Sequence, residues 1–409
     1  MTSRSAVQQK INLIFRDTLN KKSIFKNKNV LDSSYIPDNI LHRDNEILEL
    51  SRILSVALKF EKPSNVFVYG PTGTGKTLVV DFVSKELVNV AKHNSIPIYY
   101  VYVNAKMKRI SDTEYRLISY ISNILGENIP YTGLPTDVVY SRFINRIESL
   151  KGILIIAIDE IDYLVNKIGD RFLYTLTRIN QDLNNTKVSL IGISNNLNFT
   201  EYLDPRVRSS LSEEEIVFAP YNALQLRDIL QDRAKDAFNE GAVEPSVISK
   251  CAAIAAQENG DARKALDLLR VAGELAERNN EYKVREYYVD LAHKKIDYDR
   301  VMEVVKSLAQ HQKIILYAII SYLLDKEVTQ KAYTGDIYHI YVDLCNKIKK
   351  TPISQRRVSD IINDLDVLGI INAKIKSLGR YGRTREISLN NSKEIYTKIL
   401  EFLKHDLYL

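Results

Sequence analysis

Cysteine is nearly absent from this chain, which has only Cys251 and Cys345 in 409 residues. Their separation fits neither a zinc-ligand spacing nor a disulfide framework, so both read as reduced, small apolar residues of an intracellular protein. Long apolar runs are missing too. No stretch approaches the roughly twenty residues that span a bilayer, so no membrane role is expected. The opening Met1-Thr2-Ser3-Arg4-Ser5 leads into a charged, helix-like segment and not into an apolar leader, which argues against secretion. A strong excess of one charge is also lacking. The formal charge of +6 is modest for this length and alone implies no polyanionic partner. One local absence is more telling: no acid stands between Asp366 and Glu386, where Lys374, Lys376, Arg380, Arg383 and Arg385 do.

What is present is the composition of a globular protein, 45% hydrophobic and 26% charged, in a chain long enough for two or three domains. Gly70-Pro71-Thr72-Gly73-Thr74-Gly75-Lys76-Thr77 follows the apolar run Val66-Phe67-Val68-Tyr69 and precedes an apolar helical pattern from Leu78. Strand, glycine loop and helix in that order suit a nucleoside triphosphate. Backbone N–H groups turn inward around the phosphates where no Cβ intervenes, and the new helix adds its unsatisfied N–H groups and positive dipole end. Lys76 can reach the β and γ oxygens, and the Thr77 hydroxyl can ligate Mg²⁺. Gly70, Pro71, Thr72, Gly73, Thr74, Gly75, Lys76 and Thr77 are therefore candidate contacts for ATP or ADP with Mg²⁺.

Further strands are expected at Ile96 to Val103, Ile153 to Ile158 and Val188 to Ile193. These near-continuous apolar runs, separated by helical patterns, imply a parallel sheet covered on both faces. Ligands of such sheets lie beyond the carboxyl ends of the strands. Asp159 ends one strand and is the expected second magnesium ligand, direct or through water. Glu160 is placed to orient or deprotonate an attacking water, and Asn195, ending the next strand, could hold the same water. Upstream, the turn-rich Tyr35 to Asp44 segment could fold over a purine ring, and its Arg43 is a further candidate nucleotide contact. Residues 1–35, with Lys21, Lys22, Lys26 and Lys28, read as a loosely ordered basic arm.

The C-terminal part carries a different pattern. Pro352-Ile353-Ser354 introduces a helix with Val358, Ile361, Ile362, Leu365 and Leu368 on one stripe, and Arg356, Arg357, Ser359 and Asn363 face away from it. Two alternating strands, Ile370 to Lys376 and Thr384 to Leu389, flank the glycine- and arginine-rich tip Ser377 to Arg383. This is a winged-helix pattern, whose second helix enters the major groove while the tip approaches backbone or minor groove. Arg356, Arg357, Ser359, Arg380, Tyr381 and Arg383 are candidate contacts to double-stranded DNA.

The spacing from phosphate loop to Asp159 resembles the AAA+ ATPases. Within them the chain from about Pro37 onward is similar to archaeal replication initiators of the origin recognition complex and cell division control type. Gly192-Ile193-Ser194-Asn195, Leu203-Asp204-Pro205-Arg206-Val207-Arg208-Ser209-Ser210 and Asn259-Gly260-Asp261-Ala262-Arg263-Lys264-Ala265 carry that resemblance, followed by the winged-helix pattern. It implies a doubly covered α/β ATPase domain at 36–219, a helical lid at 220–298 hinged near Pro220, and a winged-helix domain at 299–409. It also implies that Asn195 is the first sensor of the γ-phosphate, Arg263 the second sensor on a lid helix, and Arg206 an arginine reaching a neighbour's ATP. Ser209-Ser210 stands where several eukaryotic relatives have Ser-Arg. An insertion at about 104–126 would touch DNA, with Lys106, Lys108 and Arg109 as its phosphate contacts. The implied function is recognition of origin DNA and recruitment or loading of the replicative helicase, alongside initiator paralogues, with slow hydrolysis as a switch. The implied location is the cytoplasm, on the nucleoid. The alternatives are a transcription regulator or a negative regulator of initiation holding nucleotide structurally, and a clamp-loader subunit.

Overall fold

The computed structural model describes residues 8, 15, 23–107, 112–211, 213–325, 331–377, 383–390 and 392–409. The chain divides into two compact units, Met1–Asp290 and Leu291–Leu409. At the centre of the first lie five parallel strands, β1 (Asn65–Tyr69), β2 (Ile98–Asn104), β3 (Ile153–Asp159), β4 (Lys187–Ser194) and β5 (Glu213–Val217), in the order β2-β3-β4-β1-β5.

Every residue of β1 and β3 is buried, as a strand covered on both faces requires. Side chains alternate between two apolar layers. Val66 and Val68 pack with Leu50 and Leu54 of α1 (Asp44–Ser55) and with Val79 and Val83 of α2 (Lys76–His93). Phe67 and Tyr69 belong to the opposite layer, with Leu117 of α3 (Glu114–Ile124), Phe143 of α4 (Thr136–Glu148), Leu164 of α5 (Ile161–Ile168) and Phe172 of α6 (Arg171–Arg178). Gly192 in β4 makes room for the Phe67 ring, since a Cβ there would lie 2.5 Å from Phe67 Cε1.

Strand β5 is not anticipated in the sequence. Its residues Glu213-Glu214-Glu215 look unlike a buried strand, but it lies at the edge of the sheet, where Glu214 and Glu215 are exposed and Ile216 is buried. After α7 (Pro205–Leu211) and β5, the chain becomes helical with α8 (Ala223–Ala237), α9 (Pro245–Gln257) and α10 (Ala262–Arg278). A reciprocal box between Asn222 and Gln225 caps α8.

The loosely ordered arm expected for residues 1–35 is corrected over its described part. Ile24, Val30 and Leu31 are buried, and Lys26 N and Asn27 N both donate to Ala237 O at the end of α8. Apolar residues spaced among the lysines give this segment an anchor that its charge obscures.

In the second unit, α11 (Glu286–Ser307) runs through both the unit boundary and the boundary expected at 298. It is followed by α12 (Gln310–Asp325), β6 (Ala332–Tyr333), α13 (Thr334–Lys347), α14 (Gln355–Val367), β7 (Ile371–Ser377), β8 (Arg383–Leu389) and α15 (Lys393–Asp406). The three strands form an antiparallel sheet ordered β6-β8-β7, and Ile319, Tyr341, Val358, Ile362, Ile387 and Tyr396 share one core. This is a winged helix. Leu368, expected on the buried stripe of α14, is 46% exposed because the helix ends before it. Gly369, at φ +70, turns the chain so that Ile370 N donates to Leu365 O, and Ile370 takes the buried place instead. Among the described residues no helix is long and apolar enough to cross a membrane.

Candidate functional site

The sheet order decides which residues meet. Because β4 lies between β3 and β1, the residue following β4 falls between the loop after β1 and the acids ending β3. Asn195 occupies that place: Lys76 Nζ donates to Asn195 Oδ1 at 2.9 Å, and Asn195 Nδ2 donates to Glu160 Oε2 at 2.9 Å. Lys76 also donates to Gly70 O and Pro71 O, each at 2.7 Å. Burial lowers the pKa of this ammonium to about 8; the negative charge of Asp159 opposes the shift and Arg263 adds to it.

Two glycines give the loop its shape. Gly73 and Gly75 have φ of +73 and +91, and a Cβ would lie 1.7 Å from Asp261 Oδ1 at the first and 2.9 Å from the Tyr221 hydroxyl at the second. The first turn of α2 thus opens directly from the loop. Thr77 Oγ1 donates to Asp159 Oδ2 at 2.8 Å, and the same oxygen accepts from the Tyr102 hydroxyl at 2.9 Å. Burial, then the charge of Asp159, pushes the Tyr102 phenol up, which keeps it a donor. Glu160 stands in the left-handed region at φ 57, ψ 44, a conformation costing a non-glycine residue roughly 1–2 kcal/mol. Its N–H donates to Asp159 Oδ1 at 2.9 Å, which offsets part of that cost.

These groups line a cavity of about 600 Å³. Backbone close-packed at glycine positions, a helix N-terminus and a lysine fit a triphosphate, and the hard oxygens of Thr77 and Asp159 fit Mg²⁺. The apolar part of the lining is Tyr35, Ile36, Pro37, Ile229 and Leu266, with the polar Asp32, Ser33, Ser34, Asp232 and Arg233 also on the cavity. The lid also abuts the loop. Asp261 caps α10 by accepting from Arg263 N at 2.8 Å, and Ala262 N donates to Gly73 O at 3.2 Å. Arg263, on the first turn, lines the cavity and makes no side-chain hydrogen bond or ion pair with any described residue.

Not every expected residue is in the cavity. Arg43 lies behind the loop and is 3% exposed. Its Nε donates to Thr74 O at 2.9 Å, its Nη2 to Ala219 O at 2.6 Å and its Nη1 to Glu46 at 2.8 Å, and it stacks on the Tyr221 ring at 4.0 Å. It braces the loop and does not line the cavity, which corrects its place among the nucleotide contacts. Arg206 is exposed on α7 and is not part of this chain's own cavity wall. Lys106 does not point away as a free phosphate contact but pairs with Glu160 Oε2 at 2.9 Å. Lys108 and Arg109 lie outside the described residues. Tyr102 and Asp261 are the residues the sequence reading missed. Tyr102 was hidden in an apolar strand run, and Asp261 stood in the Asn259 to Ala265 motif without a role of its own.

Three family models match in succession: an AAA domain over residues 60–199, a Cdc6 AAA+ ATPase-type lid domain over 227–294, and the CDC6 C-terminal winged helix domain over 303–398. The ORC1-type DNA replication protein of Thermococcus onnurineus is 52% identical over 397 residues, 96% of this chain and 94% of that protein. The chain belongs to the ORC1-type DNA replication proteins. A Methanosarcina mazei member is 50% identical over 392 residues, covering 96% of this chain and 94% of its own. Among solved structures, Aeropyrum pernix ORC1 in complex with DNA is similar at 45% identity and a TM-score of 0.80, over 94% of this chain and 98% of that one.

In this ORC1-type chain the winged-helix face is built on α14. Ser354 Oγ caps the helix by accepting from Arg357 N at 3.4 Å, and Val358, Ile361, Ile362 and Leu365 anchor one side. Arg356 and Arg357 are exposed and Ser359 partly so, with Arg357 only 3.8 Å from Asp360. Across the sheet, Lys331 and Lys376 pair with Glu386 at 2.5 and 3.3 Å and hold its carboxyl below the usual range. Lys374 remains exposed on β7. Arg380 and Tyr381 lie outside the described residues, and Arg383 begins β8.

Proposed function

We propose that this ORC1-type protein is an ATP-binding replication initiator that grips origin duplex through its winged-helix unit and helps bring the replicative helicase to it. One observation carries the reading: the complete phosphate-binding arrangement and the basic winged helix lie in one chain, similar over 94% of its length to an ORC1 protein solved with DNA.

In this reading the loop N–H groups and Lys76 hold the β and γ oxygens, and Thr77 and Asp159 hold Mg²⁺, which when bound neutralises charge developing on the phosphoryl oxygens. Glu160 takes the proton of the attacking water, and Asn195 keeps Glu160 and Lys76 in register. Arg263 reads the nucleotide from the lid, since a guanidinium fork bonds phosphate oxygens bidentately. Hydrolysis is slow and serves as a switch, with the DNA-bound assembly, including initiator paralogues, as the product that matters. Arg206 is exposed and available to a neighbouring subunit's nucleotide. On DNA, Arg356, Arg357, Ser359, Arg380, Tyr381 and Arg383 meet the duplex, and Lys106, Lys108 and Arg109 add a second basic segment.

Filter binding of ATP and anisotropy of labelled origin duplex test this together. Lys76→Ala lowers ATP affinity by roughly 10- to 100-fold, the worth of charge-assisted hydrogen bonds to phosphate. Glu160→Gln retains ATP and slows hydrolysis by on the order of 10²-fold or more. Arg380→Ala and Arg383→Ala weaken duplex binding and reduce the salt slope by about 0.9 for each phosphate that is no longer neutralised. Wild-type protein that holds neither ATP nor duplex would sink the proposal. Function abolished by Lys76→Ala but fully kept with Glu160→Gln would make the nucleotide a structural cofactor.

A further inference from the structure

The apolar end of the cavity is supplied in part by a segment that is bound not to the sheet but to the lid. Residues 24–31 lie along the ends of α8 and α10. Asn239 N donates to Ile24 O at 3.0 Å, Ile24 N donates to Glu277 Oε1 at 3.2 Å, and Lys28 pairs with Glu274 at 2.7 Å. Phe25 is the centre of this attachment. Its ring lies 4.7 Å from that of Phe238, over Gly273 of α10, where a Cβ would come within 2.6 Å of Phe25 Cζ. No side chain larger than hydrogen leaves that seat open.

A few residues later the same segment reaches the cavity. Leu31 is fully buried, and Tyr35, Ile36 and Pro37 line the cavity that the phosphate loop also lines, with Ile36 52% exposed. Arg233 of α8, itself only 8% exposed, ties the two stretches together. Its guanidinium lies 4.7 Å from the Tyr35 ring centre and its Nη1 donates to Val30 O at 3.5 Å. The wall is therefore held by the lid, and its position is set in part at a point outside the cavity lining.

We propose that residues 24–37 form a strap carrying the base-recognising wall of the nucleotide site, registered on the lid by the insertion of Phe25 over Gly273. Phe25 and Gly273 are then positioning residues for selection of the nucleoside, not of the phosphates. The inference rests on the nucleotide reading above. Chemically, a planar heteroaromatic base suits the apolar part of the lining, Tyr35, Ile36, Pro37, Ile229 and Leu266, beside which the strap also sets the polar Asp32, Ser33 and Ser34.

The test compares ATP with inorganic tripolyphosphate, both with Mg²⁺, as competitors of a fluorescent ATP analogue on the full chain. In the wild type, ATP competes better than tripolyphosphate. Phe25→Ala weakens ATP by about tenfold, a loss of the base's share of affinity, and leaves tripolyphosphate within about twofold. Phe25→Leu, which keeps an apolar side chain in the seat, retains more ATP affinity than Phe25→Ala. Gly273→Ala, which fills the seat, reproduces the loss, and adding Phe25→Leu relieves part of it, since the new Cβ would also lie 2.9 Å from Phe238 Cε1. Parallel weakening of both competitors would reduce the strap to a general structural support, and unchanged ATP affinity in Phe25→Ala would remove it from recognition; either overturns the inference. Failure of the wild type to bind either competitor overturns the underlying nucleotide reading instead.

Discussion

Asn195 joins groups that are remote in sequence: it accepts from Lys76 and donates to Glu160, each at 2.9 Å. An amide suits this place because it offers an acceptor to the cation and a donor to the carboxylate at once, whereas a carboxylate there would repel Glu160 and a hydroxyl has a shorter reach. If Asn195 aligns Glu160 for attack on the γ-phosphate, its removal acts on the transition state more than on the ground state. Asn195→Ala is expected to lower single-turnover ATP hydrolysis by on the order of 10²-fold while ATP affinity falls less than about tenfold. Equal reductions in both would mean that Asn195 serves binding alone.

At the scale of elements, the sheet depends on one missing side chain. Gly192 lets Phe67 pack across β4 toward α5, and a Cβ there would also meet Ile161 Cδ1 at 3.0 Å. Overpacking a sheet core costs typically 1–3 kcal/mol, so Gly192→Ala should shift the urea midpoint downward by an amount of roughly that size. Phe67→Leu in the same chain should recover part of it; a Gly192→Ala protein as stable as wild type would show that the Phe67 ring has room to move. This packing also explains what the sequence made legible. The three strands that end in site residues, β1, β3 and β4, are buried on both faces and so read as apolar runs, and the glycine loop, Asp159, Glu160 and Asn195 could each be found at a strand's end, whereas Arg263 came only from the family resemblance. β5 was not legible because an edge strand tolerates acids. Leu368 misled because helical periodicity runs on past Val367 while the backbone turns at Gly369. Arg43 misled because the sequence does not say whether a guanidinium near a phosphate loop faces the ligand or the back of the loop. Tyr35 and the residues after it were expected near a purine ring, but the anchored part of the strap escaped notice because Ile24, Phe25, Val30 and Leu31 are few among lysines and asparagines.

Taken whole, the described residues include separate apolar interiors, among them one on each side of the parallel sheet in the first unit and that of Ile319, Tyr341 and Tyr396 in the second. A ligand stabilises only the cooperative body whose native state it binds, by about 2.7 kcal/mol at a hundred times its Kd. The phosphate loop, the acids, Asn195, the strap and the lid helices α8, α9 and α10 all belong to Met1–Asp290. Saturating ATP with Mg²⁺ should therefore raise the calorimetric transition of that unit by several degrees, roughly what such a stabilisation produces in a domain of this size. The transition of the winged-helix unit should stay where it is, and short origin duplex should move that one instead. A single transition that shifts as a body with either ligand would show that the two units unfold together, and independence at this scale would have to be given up.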